Sequence, residues 1–284
     1  MFSDGENRGK KIAVVIIVAI LIITCIIAWR SVYSGDELIL ATTTSTYDSG
    51  LLDEIVPMFE EEHDVRVRVM ATGTGQALAL GERGDADVLL VHSPEKEEEF
   101  IDSGHGNARY EVMYNEYVIV GPSDDPAGIR GMDDAEAAFE LLYEEGATFC
   151  SRGDDSGTHM KELDIWEGAD IEKDEIEDSD RYRSLGQGMG DTLRTANEFG
   201  DAYTLADEST YISLKEDLVE LDILVRDEET LFNQYSVIPV SGARNSETAE
   251  DFAQWIVSDE IQGVIDEYTV KGERIFTANA KKTI

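Results

Sequence analysis

The stretch Leu38-Ile-Leu-Ala-Thr-Thr-Thr-Ser-Thr46 decides the fold class, because a short apolar strand in it runs directly into a series of hydroxyl residues. An amphipathic helix is predicted next, over 49–62, followed by a strand over 65–70 and a second helix over 76–83. Strands and helices keep alternating in this way along the chain, and the strand predicted at 88–91 is apolar at every position. This alternation predicts an α/β fold.

Four loops at the starts of predicted helices are rich in Gly, Ser and Thr. They are L1 (Ala41-Thr-Thr-Thr-Ser-Thr46), L2 (Ala71-Thr-Gly-Thr-Gly-Gln76), L3 (Ser151-Arg-Gly-Asp-Asp-Ser-Gly-Thr-His159) and L4 (Gly186-Gln-Gly-Met-Gly190). Free backbone N–H groups and the positive end of the helix dipole make such places suitable for anions. A single loop of this kind is more often an ordinary helix cap or a glycine turn. Four of them in one chain favour an anion-binding site.

No catalytic or metal-binding constellation accompanies these loops. Ser156 and His159 lack a third, orienting group, and Gly73-Thr-Gly75 is too short for a dinucleotide-binding fingerprint. The four histidines are scattered, so no pair shares a helical face as zinc ligands often do. Cys150 is predicted at the end of a buried strand, without a disulfide partner in its domain. The sequence therefore predicts a binding protein without cofactor or metal; a membrane-anchored ectoenzyme and a sensor acting through a partner chain remain the alternatives.

The chain is strongly acidic, with 61 Asp and Glu residues against 23 Lys and Arg residues and a formal net charge of −38. Such a surface repels the phosphates of nucleic acids, so nucleic-acid binding is excluded. An acidic surface with few lysines also stays hydrated in concentrated salt, where the short Debye length screens self-repulsion. The composition is typical of a protein from a salty habitat.

An uncharged, apolar run covers residues 12–29 and predicts a membrane helix, since at about 1.5 Å per residue it spans roughly 27 Å. Basic residues flank it: Arg8, Lys10, Lys11 and Arg30. The positive-inside rule then keeps a leader (1–11) in the cytoplasm and places the bulk of the chain, beyond a tether (30–36), on the extracytoplasmic side of the cell membrane. The run is longer than a typical signal-peptide core, and Thr24 before Cys25 disfavours lipid attachment, so an uncleaved single-pass anchor is expected.

The hydroxyl loops resemble those of the tungstate-binding receptors of ABC importers. L1 with its preceding strand, Gly73-Thr-Gly-Gln-Ala-Leu78 and L3 are similar to three loops of that family. Val112-Met-Tyr-Asn115, Ala202-Tyr-Thr-Leu205 and Leu231-Phe-Asn-Gln-Tyr235 follow its pattern as well, so the resemblance covers about residues 37–280. The predicted membrane helix departs from bacterial members, which usually carry a cleaved signal or a lipid anchor, and is more like an archaeal arrangement.

The resemblance implies a two-lobed, periplasmic-binding-protein-like (type II) fold with a hinge and a ligand cleft. Lobe one would comprise 37–121 and 232–284, and lobe two 122–231. The polar, turn-rich segments 121–126 and 226–230 support this division independently. The implied function is high-affinity extracellular binding of tungstate, or of the equally shaped molybdate, by a monomer that delivers it to the permease and ATPase subunits of an ABC importer.

A deprotonated tetrahedral dianion accepts hydrogen bonds and donates none, so its site should consist of donors. Arg152 is the one cation in the loops, and its planar fork can bind two oxygens at once. Asp154 and Asp155 leave two interpretations open. Either they turn away and accept loop N–H groups, or one faces a ligand that carries a proton, as hydrogen phosphate does; a phosphate or other oxyanion receptor is therefore the alternative. The predicted ligand-binding residues are Thr43, Thr44, Ser45, Thr74, Gly75, Arg152, Ser156, Gly157 and Thr158.

Overall fold

The structure is a computed structural model that describes residues 37–282, with side chains as far as residue 280. None of the helices within 37–282 is long and apolar enough to cross a membrane. The predicted leader (1–11), membrane helix (12–29) and tether (30–36) lie outside the described residues.

Strands and helices alternate through most of the described chain, as the sequence pattern predicts. The strands are β1 (Glu37–Thr43), β2 (Arg66–Thr72), β3 (Val88–Val91), β4 (Tyr110–Pro122), β5 (Thr148–Ser151), β6 (Tyr182–Ser184), β7 (Ala202–Asp207), β8 (Leu221–Val225), β9 (Phe232–Pro239), β10 (Thr269–Val270), β11 (Glu273–Arg274) and β12 (Thr277–Lys282). The helices are α1 (Thr44–Asp48), α2 (Leu51–His63), α3 (Thr74–Glu82), α4 (Pro94–Asp102), α5 (Ala135–Glu144), α6 (Gly157–Gly168), α7 (Lys173–Glu177), α8 (Met189–Phe199), α9 (Glu208–Leu214), α10 (Ser246–Ile256) and α11 (Asp259–Glu267).

Two groups of parallel strands are joined by a central antiparallel pair, in the order β2-β1-β3-β9-β4-β7-β5-β6. In the first group β1 runs parallel to both β2 and β3. In the second group β5 runs parallel to both β6 and β7. The long strands β9 and β4 lie between the groups and pair antiparallel with each other. Because β12 and β8 also pair with β4, that strand is the centre of the fold.

Strand β4 changes partners along its length, and this change makes the fold two-lobed. Its first half, Tyr110 to Glu116, pairs with β9, whereas its second half, from Tyr117 to Pro122, pairs with β7 and β8. The two-lobed α/β fold expected from the resemblance is thereby confirmed. The lobe limits of 37–121 with 232–284 and of 122–231 stay a prediction.

Each side of the fold has its own aromatic cluster under the sheet. In the first, Phe59 contacts Phe252 and Trp255 edge to face, with ring centroids 4.9 and 5.2 Å apart. In the second, Trp166 packs on Phe139 at 4.4 Å and on Phe149 at 5.3 Å. These rings fix α2 and α10 on one side and α5 and α6 on the other, so the loops at the ends of the strands are held by rigid layers.

Cys150 lies buried in β5, as the sequence predicts. Burial raises the pKa of its thiol to about 12. A thiol in this environment stays protonated and behaves as a small core residue.

Candidate anion-binding cleft

The hydroxyl loops lie at the carboxyl ends of parallel strands, where open α/β sheets bind their ligands. L1 and L2 follow β1 and β2, which are in register with Thr43 opposite Thr72. L3 and L4 follow β5 and β6, which are in register with Ser151 opposite Ser184. Each group of parallel strands therefore presents two loops side by side.

The two pairs of loops meet each other across the gap between the lobes. A methyl group in place of a Gly73 hydrogen would lie 3.6 Å from Ser156 Cα, and one on Gly75 would lie 3.2 Å from the Asp155 carbonyl oxygen. A methyl group on Gly188 would lie 4.0 Å from Thr44 Oγ1. L1 thus faces L4, and L2 faces L3. Since the Gln187 N–H donates to the Arg152 carbonyl at 3.2 Å, L3 and L4 are also joined, and the four loops form one cluster.

Buried donors without partners are concentrated in this cluster. Among residues 37–282, buried side-chain atoms without a hydrogen-bond partner include Thr44 Oγ1, Thr74 Oγ1, Arg152 Nε and Thr158 Oγ1. All four belong to the predicted ligand-binding residues, whereas only three further such atoms occur elsewhere in the described chain, on Trp166, Thr210 and Ser236. An unsatisfied buried polar group costs about 1–3 kcal/mol, so a cluster of them requires a reason. A ligand that accepts hydrogen bonds supplies one.

Thr158 is a less clear case than the other three donors. Burial raises the pKa of Tyr117 well above its ordinary value, and the Thr158 hydroxyl is close enough to oppose that rise. Thr44, Thr74 and Arg152 therefore carry the argument.

Two of the four helices at the cluster begin on glycine and leave their first N–H groups without a side-chain cap. Gly73 precedes α3 and Gly188 precedes α8, and neither offers a side-chain acceptor. The predicted ligand residue Gly75 lies in the first turn of α3. Backbone donors and the positive helix ends in this arrangement favour an anion.

Thr43 and Ser45 use their hydroxyls within the protein. Thr43 Oγ1 caps α1 by accepting the Thr46 N–H at 3.3 Å, and it lies 3.0 Å from Ser45 Oγ and 2.7 Å from Thr46 Oγ1. Ser45 Oγ lies 3.2 Å from His92 Nε2. Of the three adjacent hydroxyls predicted as ligand donors in L1, only that of Thr44 is thus without a partner, and the roles of Thr43 and Ser45 at a ligand would fall to their backbone N–H groups.

Ser156 and Gly157 begin α6 and bring it close to the other lobe. Ser156 Oγ caps the helix by accepting the His159 N–H at 3.3 Å. A methyl group in place of a Gly157 hydrogen would come within 2.6 Å of the His92 carbonyl oxygen, well inside van der Waals contact. Gly157 is therefore required for the close approach of α6 to His92.

The buried Arg152 and the half-buried Asp154 form an ion pair, with Nη2 donating to Oδ2 at 2.7 Å. The Asp154 carboxylate also accepts the Ser156 N–H at 3.3 Å. The side chain of Asp155, by contrast, is 84% exposed, and its backbone N–H donates to His159 Nδ1 at 3.1 Å. Asp154 therefore follows the first of the two interpretations left open by the sequence, in which the carboxylate accepts loop donors.

Three residues at the cluster were not predicted from the sequence. Lys96 on α4 places Nζ 3.8 Å from the position that a Gly75 methyl would take, so Arg152 is not the only cation beside the loops. Asp48 ends α1, and burial raises its pKa while Arg152 and Arg194 oppose the rise. Burial lowers the pKa of His92 to about 4, so this histidine is neutral near pH 7. Of the three, only His92 could have been predicted to lie at the site, because it directly follows the apolar strand at 88–91 and therefore stands at a strand end.

Known proteins are related to the chain along most of its length. Residues 30–260 match the PBP superfamily domain. The tungstate-binding protein TupA of Peptoclostridium acidaminophilum is 47% identical over 254 residues, which make up 87% of this chain and 87% of the relative. The chain belongs to the tungstate-binding protein family. The recognition of that family from its loops is therefore confirmed.

Solved structures of tungstate-binding family members share the fold. The tungstate-binding protein TupA from Desulfovibrio alaskensis superimposes with a TM-score of 0.73 at 41% identity, covering 86% of this chain and 99% of that one. The structure of the tungstate ABC transporter from Geobacter sulfurreducens gives a TM-score of 0.73 at 43% identity, covering 82% of this chain and 99% of that one.

Proposed function

We propose that this chain binds tungstate among L1 to L4 and delivers it to the permease and ATPase subunits of an ABC importer, as a receptor and not as an enzyme. The observation that carries the proposal is the set of buried donors without partners, Thr44 Oγ1, Thr74 Oγ1 and Arg152 Nε, in one cluster. A dianion that only accepts hydrogen bonds satisfies all three at once. The family relationship supports the same ligand, and molybdate, with the same shape and charge, fits the same donors.

A strongly negative protein can hold an anion here because the local field outweighs distant charges. The Arg152 and Asp154 charges largely cancel, so the attraction comes from the uncapped starts of α3 and α8, the loop N–H groups and Lys96. Each helix end contributes about 0.3–1 kcal/mol. Exposed carboxylates farther away than a Debye length, about 8 Å at physiological salt, contribute little.

The proposal includes a hinged closure and a membrane anchor. Lobes of 37–121 with 232–284 and of 122–231 would close on the anion about the β4 and β9 crossings, since those strands join the two sides of the fold. The uncharged run at 12–29 would hold a monomer at the extracytoplasmic face of the cell membrane.

Calorimetric titration of the purified full chain with tungstate, molybdate, sulfate and phosphate tests the ligand. Tungstate and molybdate are expected to bind, and hydrogen phosphate is expected not to bind, because Asp154 is occupied by Arg152 and the Ser156 N–H and offers no free acceptor. Thr44→Ala and Thr74→Ala should each weaken tungstate binding, whereas Thr248→Ala on α10 serves as the control. Phosphate binding tighter than tungstate binding, or no binding of either, would overturn the proposal.

A further inference from the structure

His92 is a buried side chain that contacts a ligand loop and the two long strands, β4 and β9, that lie between the two groups of parallel strands. Its Nε2 lies 3.2 Å from Ser45 Oγ in L1. Its Nδ1 lies 2.9 Å from Tyr117 Oη on β4 and 2.9 Å from Asn233 Oδ1 on β9. The imidazole also stacks on Tyr235, with ring centroids 4.7 Å apart. The residue is only 3% exposed, so its ring is shielded from solvent.

The carboxylate of Asp207 fixes which way the neighbouring amides point. Asp207 accepts from Asn115 Nδ2 at 3.2 Å, from Asn233 Nδ2 at 3.0 Å and from Tyr235 Oη at 2.5 Å. A carboxylate has no hydrogen to offer, so the amide atom of Asn233 that faces it must be the NH2 group. The other amide atom, Oδ1, then faces His92.

This orientation decides the tautomer of His92. Because Asn233 Oδ1 is an acceptor, His92 Nδ1 carries the hydrogen and donates it. His92 Nε2 then holds the lone pair and accepts the hydroxyl hydrogen of Ser45. Burial keeps the pKa of His92 at about 4, which agrees with a neutral ring. Both ring nitrogens are therefore engaged within the protein, and neither is available to an anion.

His92 is also the place where the second lobe meets the first. A methyl group on Gly157 would lie 2.6 Å from the His92 carbonyl oxygen and 2.9 Å from His92 Cε1 and Nδ1. The first turn of α6, which carries Thr158 and follows the Arg152 loop, therefore packs directly against this one residue. Any shift of His92 would move L1 and the start of α6 together.

We propose that His92 is a positioning residue for tungstate binding. Its ring accepts the Ser45 hydroxyl hydrogen and packs against the start of α6, and it thereby sets the shape of the cleft without touching the anion. The inference rests on the proposed function, since it names how the same site is held. It also assigns the Ser45 hydroxyl to His92 and leaves L1 with the Thr44 hydroxyl as its side-chain donor to the ligand.

Two substitutions of His92 separate its contacts. His92→Gln can place an amide oxygen near the Nε2 position and keep an acceptor for Ser45, whereas His92→Asn is too short to reach it. We expect His92→Asn to weaken tungstate binding about tenfold, since one hydrogen bond and part of the loop geometry are lost. His92→Gln should recover much of that loss. His105→Asn, a histidine outside the network, is the matched control.

A double-mutant cycle with Ser45→Ala shows whether His92 acts through Ser45. The double variant of Ser45→Ala and His92→Asn should bind tungstate about as well as His92→Asn alone, because the Ser45 hydroxyl affects tungstate binding through its contact with His92. If His92 only stabilised the core, its substitution would lower the free energy of unfolding, and the two substitutions would show no such coupling in tungstate affinity. Losses that add up in the double variant would overturn the positioning role.

Nitrogen-15 NMR of the His92 ring in the full chain tests the tautomer without any ligand. A hydrogen on Nδ1 is expected, and a hydrogen on Nε2 would overturn the inference even if tungstate binds. Failure of the parent to bind tungstate would instead overturn the proposed function, and the positioning role with it. Additive losses in a parent that does bind would overturn the positioning role alone.

Discussion

Arg152 is the residue whose loss should cost most affinity. Its guanidinium pairs with Asp154 at 2.7 Å, and its Nε is a buried donor without a partner. Arg152→Ala removes that donor and also leaves the Asp154 carboxylate uncompensated beside an anion, so a loss of about 3 kcal/mol or more is expected. Thr44→Ala removes one neutral donor and should cost about 1 kcal/mol. Titration with tungstate measures both, and an Arg152→Ala variant that binds like the parent would contradict the assignment.

Asp154 gives a prediction of opposite sign for the two interpretations of its role. In the structure it accepts from Arg152 and from the Ser156 N–H, so Asp154→Asn should weaken binding of tungstate and molybdate modestly and in parallel. An amide can still accept one of these hydrogen bonds but lacks the charge-assisted part. Titrations of the parent and the variant with tungstate and molybdate measure the change in affinity. Tighter tungstate binding by the variant would indicate a carboxylate that faces the ligand.

Glu162 should make the stability of the protein depend on pH. It is 2% exposed, and burial raises its pKa to about 7, although Tyr182 Oη donates to it at 2.7 Å. A raised pKa means that the folded state holds a proton that the unfolded state has released. The contribution of protonated Glu162 to the free energy of unfolding is therefore complete below about pH 4.5, and it is lost as the pH rises to about 7.

Glu162→Gln should remove this decline. Between about pH 4.5 and 7, the unfolding free energy of the parent should fall relative to the variant by up to about 3 kcal/mol. Chemical denaturation at several pH values measures the difference, with Glu175→Gln on the exposed face of α7 as the control. A difference between parent and variant that does not change with pH would show that Glu162 ionises normally.

At the level of elements, position 157 at the start of α6 should tolerate no residue larger than glycine. Gly157→Ala places a methyl group 2.6 Å from the His92 carbonyl, so α6 must retreat and the two lobes cannot meet as closely. We expect tungstate affinity to fall at least tenfold, about 1.4 kcal/mol or more. Gly263→Ala in α11 is the matched control, because its methyl group would meet nothing within 4 Å. Equal affinities of the two variants would show that the close contact is unimportant.

The elements around the site were largely predictable, because their signals are local. β3 has the predicted limits, 88–91, and each hydroxyl loop lies where a strand ends and a helix follows. The helix α4 was not predicted, since its sequence Pro94-Glu-Lys-Glu-Glu-Glu-Phe-Ile-Asp102 shows little apolar periodicity. The full length of β4 could not be predicted from local sequence, because its first residues are stabilised by pairing with β9 and β12, far away in the sequence.

The assignment of individual donors could not be predicted from the loops alone. Whether the Ser45 or the Thr44 hydroxyl is free depends on His92, which comes from another strand end. In the same way, the role of Asp154 depends on the direction of the Arg152 side chain. Sequence patterns identify which residue types converge, but the hydrogen-bond partners are set by the tertiary fold.

At the level of the whole molecule, the net charge of −38 should slow the approach of a dianion. The association rate of tungstate is therefore expected to rise as sodium chloride is added, because screening weakens the long-range repulsion before it affects the short-range donors. At higher concentrations chloride should compete for the site. Stopped-flow measurements of tungstate binding over a salt series test this, with sodium acetate as a second electrolyte. A steep fall in rate from the lowest salt concentration would mean that the field at the cleft attracts anions from afar.

The position of β3 between β1 and β9 also constrains how the chain acquires its fold during synthesis. Val88–Val91 is apolar and fully buried, yet the strand that covers one of its edges, Phe232–Pro239, is translated much later. At 5–20 residues per second, the ribosome needs on the order of 10 s to produce it. Until β9 is made, that edge of β3 has no partner strand, and an unpaired, uncharged edge of this kind can pair with a neighbouring chain. We expect the net charge of −38 to oppose such pairing between nascent copies.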